Sequence, residues 1–377
     1  MRSLYIKKED CCGCGACVDI CRRGAVRMMI DREGFRYPKI DGSLCVDCRQ
    51  CEKVCPVKKK AQSMERNPSR KYFAVQVKDE EVRRLSSSGG MFPVLAKYVI
   101  NRQGVVYGAS YGRNMKVVHK GIHTMEELDA VKRTKYVQSS LKGVYREIET
   151  QLKDDRWVLF CGTPCQAQGL KDFLKTPYPK LILTDLICYG VPSPGIWRSY
   201  VKSLEKKRGG RMTDFSFRDK RNRDNGHMCS YEIGGNEYSG SLYSDPYCRM
   251  YFSNHILRPS CHICRFCTIE RESDITIGDF WGIEKVRPDM DDGMGTSVVI
   301  LHTEKAREIW EAVREELSWF ECEKKDVLQP RLTGPSGAAK SRRIFMACYK
   351  ALPFSVFQKL YILSASGRTF IRRLFGW

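Results

Sequence analysis

The segment Trp157–Leu170, WVLFCGTPCQAQGL, holds a strand, a stop and a helix start in immediate succession. Trp157-Val158-Leu159-Phe160 is β-branched and aromatic, which predicts a buried strand. Gly162-Thr163-Pro164 ends it, and the apolar spacing of Gln166 to Leu174 predicts a helix. Cys165 therefore falls at a helix N-terminus, where the positive end of the helix and unpaired backbone N–H groups favour a thiolate, the form that binds metal. Cys188 follows a second predicted strand, Lys180 to Ile187, in the same way.

The chain carries nineteen cysteines, and their spacing sets the chemistry. Cys11, Cys14, Cys17 and Cys21 are separated by two, two and three residues, and Cys45, Cys48, Cys51 and Cys55 repeat that run, ending in Pro56. In this ferredoxin pattern three cysteines of a run hold one cubane and the fourth crosses to the other. The predicted sets are Cys11, Cys14, Cys17 and Cys55, and Cys45, Cys48, Cys51 and Cys21, with Cys12 left over. Two complete four-cysteine runs argue against paired zinc knuckles. Val26 to Ile30 and Phe35 to Ile40 flank a turn and predict the hairpin between the runs. Arg22 stands where the first run often has proline.

Further along, Cys261 and Cys264 form a lone pair with Cys267 three residues on. Joined to Cys165 and Cys188 they complete a third candidate set, Cys165, Cys188, Cys261 and Cys264. Cys161 and Cys267 are rivals for places in it, and Cys229, Cys248, Cys322 and Cys348 are expected to be packed. The six histidines show no paired metal spacing; His262, between the two cysteines, is expected to be structural.

No apolar h-region follows Lys7 and Lys8, and no apolar run is long enough to span a bilayer, so a cytoplasmic location is expected. Thiols there stay reduced, which again favours metal ligation over disulfides. The formal charge of +21 suits an anionic substrate or phosphate-bearing cofactor, or an anionic membrane surface. No zinc-finger, helix-turn-helix or RNP pattern accompanies it, so no nucleic-acid partner is expected. After Gly334 basic residues, among them Arg368, Arg372 and Arg373, occur with no Asp or Glu, amid aromatics up to Trp377. This tail suits either peripheral membrane contact or docking on a partner. The basic stretch Arg208 to Arg223 reads as a solvated loop, with a docking surface as its alternative.

Ser86-Ser87-Ser88-Gly89-Gly90 leads into the helical pattern Met91 to Ile100 and suits either a serine-capped entry or diphosphate binding. Thr134-Lys135-Tyr136 groups a cation, an aromatic ring and a hydroxyl. Neither a P-loop nor a GxGxxG after a strand occurs.

These segments, with Gly104 to Gly108, Gly162 to Gln166, Ile187-Cys188, Cys261 to Cys264 and Ser273 to Asp279, together resemble the coenzyme F420 hydrogenase/dehydrogenase beta-subunit family. The resemblance runs from about Lys71 to Phe320. It implies FAD, a third [4Fe-4S] cluster at Cys165, Cys188, Cys261 and Cys264, and FAD contacts at Ser88, Gly89, Gly90, Lys135, Tyr136 and Thr163. Where many relatives pass quickly to Gly-Trp, Arg221 to His227 intervene. The expected fold is α+β: a ferredoxin-like dicluster domain over residues 1–60, a linker over 61–70, a larger mixed α/β flavin domain over 71–333 and a basic helical tail over 334–377. The implied activity is that of an iron-sulfur flavoprotein oxidoreductase between a hydride carrier, F420H2-like or NAD(P)H, and one-electron clusters. A ferredoxin-linked reductase of an organic substrate and a non-catalytic electron-transfer subunit docking on a redox protein are the alternatives.

Overall fold

The computed structural model describes residues 2–59, 69–220 and 227–363. Most of the expected linker, the Arg221–Gly226 part of the basic loop, and Arg368, Arg372, Arg373 and Trp377 lie outside the described residues.

An eight-stranded mixed sheet organises the larger part of the chain. Its order is Leu317–Cys322, Lys71–Val77, Ser297–Leu301, Ile275–Asp279, Leu181–Leu186, Val158–Gly162, Val105–Gly112 and Lys116–Ile122. The four strands starting at Ile275, Leu181, Val158 and Val105 are parallel, and the others run antiparallel at the two sides. Parallel strands are covered on both faces and so read as continuous apolar runs; every residue of Val158–Gly162 is buried.

One face packs on Met91–Ile100 and Glu304–Val313 through Val94, Leu95, Ile309 and Trp310. The other packs on Val144–Lys153 and Pro164–Leu174 through Tyr145, Ile148, Leu170 and Phe173. Cys12, Cys14, Ala16 and Val54 belong to that same core, so the cysteine-rich segment is seated against the sheet's helices. Within that segment Val26–Ile30, Arg36–Ile40 and the short strand Arg2–Ser3 form a three-stranded antiparallel sheet.

Two expectations need correction. Arg208 to Arg223 is no solvated loop: Met212–Asp219 is a strand paired with Met228–Ile233, and Phe215, Phe217, Arg218 and Lys220 are buried. The aromatic alternation that packs Phe215 and Phe217 into a core with Trp197 and Tyr247 was obscured by the density of charge. The helices Arg342–Ala351 and Phe354–Leu363 bury Phe345, Met346, Phe357 and Tyr361 in that core as well. Much of the apolar surface expected for membrane contact is therefore used within the chain. Among the described residues no helix is long and apolar enough to cross a membrane.

Candidate functional site

In open sheets with parallel strands, ligand crevices lie beyond the carboxyl ends of those strands. The neighbouring strands Val158–Gly162 and Leu181–Leu186 end at Thr163 and Ile187, which brings Cys165 and Cys188 to one edge. Thr163 caps the Pro164–Leu174 helix reciprocally with Gln166, and Pro164 begins it, so Cys165 lies in the first turn. A short 3-10 turn, Pro259–Ile263, carries Cys261 to the same place. Cys12, Cys165, Cys188, Cys261, Cys264 and Cys267 line one cavity of about 110 Å³ together with Arg271.

The cavity is an unfavourable setting for bare thiolates. Burial pushes the Cys188 thiol well up, with Cys261, Cys165 and Cys264 adding to it. Burial likewise drives Cys261 to about 12, although the backbone N–H of Val191 donates to its Sγ at 3.4 Å. Cys165 is raised too, first by its hydrogen bond with Cys12 and then by burial. The thiolate expected from the helix N-terminus alone is thus overridden by these neighbours. Desolvation and mutual repulsion disfavour several thiolates in one place unless a cation stabilises them, which suits a metal-binding donor set. Below the cavity Arg271 donates to the buried Asp185 at 2.8 Å, and Ser273 and Thr276 donate to the same carboxylate at 2.9 and 2.7 Å.

Of the two rivals, Cys161 is turned into the sheet core and raised to about 12 by burial, while Cys267 stays at the cavity and hydrogen-bonds Cys264. Cys229, Cys248, Cys322 and Cys348 are buried in apolar cores. His262 places Nδ1 at the Ser336 carbonyl, 3.0 Å away, a structural contact.

A second cavity, of about 30 Å³, is lined by Cys21, Cys45, Cys48 and Cys51. Cys11, Cys14, Cys17 and Cys55 line neither cavity; Cys14 packs in one core with Cys12 and Cys165, and Cys17 packs with Cys21, Cys45 and Cys51. Cys17 is raised by burial, then by Cys11, Cys55 and Cys51, so it adjoins both ferredoxin sets. Cys12, unassigned from the sequence, hydrogen-bonds Cys14 on one side and Cys165 on the other. The three sets are therefore contiguous. Arg258, fully buried, donates to the carbonyls of Cys11 and Arg36 at 2.7 and 3.0 Å and to Gln138 at 3.0 Å. Gly13 has φ +74°, and a Cβ there would lie 2.9 Å from that guanidinium. Among the described residues no three His, Cys, Asp or Glu side chains are grouped as ligands of a single ion. Two of the three cysteine sets instead line spaces, as ligands of a polynuclear cluster do.

The six residues expected at FAD lie outside both cavities. Ser88 donates to the Thr296 carbonyl at 3.0 Å, and the Gly89 N–H donates to Ser297 at 2.9 Å. A Cβ on Gly89 would stand 2.1 Å from the Val75 carbonyl, and Gly90 adopts φ +94°, so this turn is shaped by packing. Thr163 contacts Cys165 Sγ at 3.2 Å. Lys135 and Tyr136 stand in a separate, aromatic layer. Lys135, pushed down to about 7 by burial, donates to the Lys132 carbonyl at 2.5 Å. Tyr136 lies 4.8 Å from Tyr251 and 5.1 Å from Phe217, ring to ring, and Tyr251 lies 5.2 Å from Tyr189, next to Cys188.

Two residues missed as candidates complete this layer. Arg218 donates to Asp279 at 2.7 Å. Lys220, held near 7 by burial and then by Arg218, donates to the Ser88 and Met294 carbonyls at 2.6 Å each. The triplet Arg218-Asp219-Lys220 after an aromatic alternation was the available signal.

Residues 155–325 match the family model for the C terminus of the coenzyme F420 hydrogenase/dehydrogenase beta subunit, and residues 10–59 match the 4Fe-4S dicluster domain. The F subunit of the F(420)H(2) dehydrogenase of Methanosarcina mazei is 27% identical over 195 residues, 48% of this chain and 54% of that protein. The match thus spans about half the length of this relative. An uncharacterised ferredoxin of Methanocaldococcus jannaschii is 34% identical over 53 residues, 14% of this chain and 68% of that one. Among solved structures, a chain of the F420-reducing [NiFe] hydrogenase complex from Methanosarcina barkeri aligns with a TM-score of 0.45 at 18% identity, covering 76% of this chain and 89% of that one. Residues 155–325 thus form a domain similar to the C terminus of the coenzyme F420 hydrogenase/dehydrogenase beta subunit, with a 4Fe-4S dicluster domain ahead of it.

Proposed function

We propose that this protein is an oxidoreductase that exchanges electrons between a two-electron hydride carrier and one-electron [4Fe-4S] clusters. The observation that carries this reading is the contiguity of the three cysteine sets, joined at Cys17–Cys51 and at Cys14–Cys12–Cys165. Cys21, Cys45, Cys48 and Cys51, then Cys11, Cys14, Cys17 and Cys55, then Cys165, Cys188, Cys261 and Cys264 would each hold a cubane. A flavin, when bound, supplies the interconversion of hydride and single-electron chemistry. Lys135, Tyr136, Arg218 and Lys220 are the residues that would hold it, two aromatic contacts away from the neighbour of Cys188.

What the chain itself contributes is position and environment. The Thr163 cap fixes the Cys165 backbone at the cavity, and Val191 donates to Cys261, a contact of the kind that tunes cluster potential. The half-length match to a protein of an F(420)H(2) dehydrogenase favours a reduced deazaflavin as the hydride donor.

A second reading has its own support. The Ser88–Gly90 turn is bonded to Thr296 and Ser297, which favours an electron-wiring subunit without flavin or substrate of its own. Anaerobic purification with FAD, iron and sulfide quantified together, followed by stopped-flow mixing with F420H2, NADPH and NADH, separates the two. The oxidoreductase should show stoichiometric FAD, about twelve irons and rapid reduction by one donor. Iron without flavin, and no reduction by any donor, would leave only the wiring subunit.

A further inference from the structure

The order of the cysteine sets has an outer end. From the deep cavity the contacts run through Cys12 and Cys14, then Cys17, to Cys51. Electron transfer weakens steeply with distance, so a carrier exchanging electrons with this series must approach the set nearest solvent. That set is Cys21, Cys45, Cys48 and Cys51, in which Cys48 is exposed. Beside it Val46 is 62% exposed, an apolar residue left uncovered at the centre of the patch.

Basic residues outnumber acidic ones in the two segments that form this opening. Arg23 and Arg49 line it, and their chain neighbours Arg22, Arg27 and Lys53 are exposed; none of the five is in an ion pair among the described residues. Against them stand Asp47 and Glu52, and Glu52 is already paired with Lys58 at 3.2 Å. Arg146 reaches across from the Val144–Lys153 helix to donate to the Cys21 carbonyl at 2.9 Å, which seats the set firmly on the larger domain. A small apolar centre within a predominantly basic surround is the arrangement that steers and orients a transient partner of opposite charge.

We infer that the surface around Cys48 is the docking face for a small acidic one-electron carrier protein. This rests on the electron-transfer reading above for its purpose, and on exposure and charge for its place. A lipid surface fits less well, because Val46 and the nearby Leu44 offer little to bury in a bilayer.

The test uses the whole chain with its clusters reconstituted anaerobically, and an acidic 2[4Fe-4S] ferredoxin as probe. Binding is measured by calorimetry from low to about 0.3 M salt, without any hydride donor. The triple variant Arg22→Glu, Arg27→Glu, Lys53→Glu changes rim residues that do not line the cysteine cavity. It should weaken ferredoxin binding at least about tenfold at low salt and flatten its salt dependence. Lys202→Glu, Lys206→Glu, Lys207→Glu, an equal charge change on the helix Pro194–Arg208, should shift it less than about twofold. If charge reversal lowers the iron content, the Gln versions of the same three rim residues carry the test.

Ferredoxin binding that survives the rim substitutions, or that the control abolishes equally, would overturn the inference. So would unmodified protein that binds phosphatidylserine vesicles and ignores the ferredoxin. Because no hydride donor is present, failure of F420H2, NADPH and NADH to reduce the protein would remove the function proposed above and leave this result intact.

Discussion

The two cysteine cavities are built from the same ligand chemistry in opposite settings. The deep one gathers Cys165, Cys188, Cys261 and Cys264, each half-buried, from distant segments. The outer one takes Cys45, Cys48 and Cys51 from one short run and leaves Cys48 in solvent. In the first, burial and neighbouring thiols make thiolates costly, so metal binding and folding should be strongly coupled there. In the second, burial still raises Cys51, but Cys48 stands in solvent. The same cysteine-rich chemistry is thus structural at one end of the series and accessible at the other.

The largest effect should come from beneath the deep cavity. Asp185→Ala leaves the buried Arg271 guanidinium without its carboxylate and should destabilise the protein by about 3–5 kcal/mol. Anaerobic thermal unfolding measures this; a change below about 1 kcal/mol would mean that solvent reaches Arg271.

Next, Cys165→Ala and Cys48→Ala should each lower iron by about four per chain out of about twelve. Only Cys165→Ala should also reduce thermal stability sharply, because the cluster it loses sits in the core. Equal losses of stability would erase the contrast between the cavities.

Cys12→Ala sharpens the boundary between sets. Iron should stay at about twelve per chain, since Cys12 touches Cys14 and Cys165 without belonging to either four. A loss of about four irons would make Cys12 a ligand and displace one of the rivals at the deep cavity.

The smallest effect is a pH dependence. His119 is buried against Phe160, contacts the Cys161 carbonyl at 3.2 Å, and is lowered by burial to about 4. The unfolded chain, with a histidine near 6.5, binds the proton first as pH falls, so stability drops between about 6.5 and 4 and is flat above that window. Between about pH 6.5 and 5.5 this histidine should account for about 1 kcal/mol, and His119→Gln should remove that part of the slope in unfolding measured at the two pH values.

Local periodicity was legible because it is written in neighbouring residues. Val26–Ile30 and Met91–Ile100 are found at the expected bounds, and Val158–Gly162 and Pro164–Leu174 within a few residues. The Arg208–Arg223 stretch was misread because burial of a cation depends on partners far along the chain. Arg218 needs Asp279, and Lys220 needs the carbonyls of Ser88 and Met294. The same limit applies to Ser88–Gly90, where local chemistry suggests phosphate binding and the contact with Ser297 gives the amide another use.

By itself the sequence determined the two cysteine runs, the strand-to-helix turn at Cys165 and the metal-binding character of the chain's chemistry, because each depends on spacing or composition. Only the tertiary structure decided that Cys12 lies between two sets, that Cys161 faces the core, that Arg218 and Lys220 are buried, and that Cys48 stands at the surface. Those outcomes follow from which segments the eight-stranded sheet brings together, and burial is a property of that assembly, whereas spacing is a property of the chain.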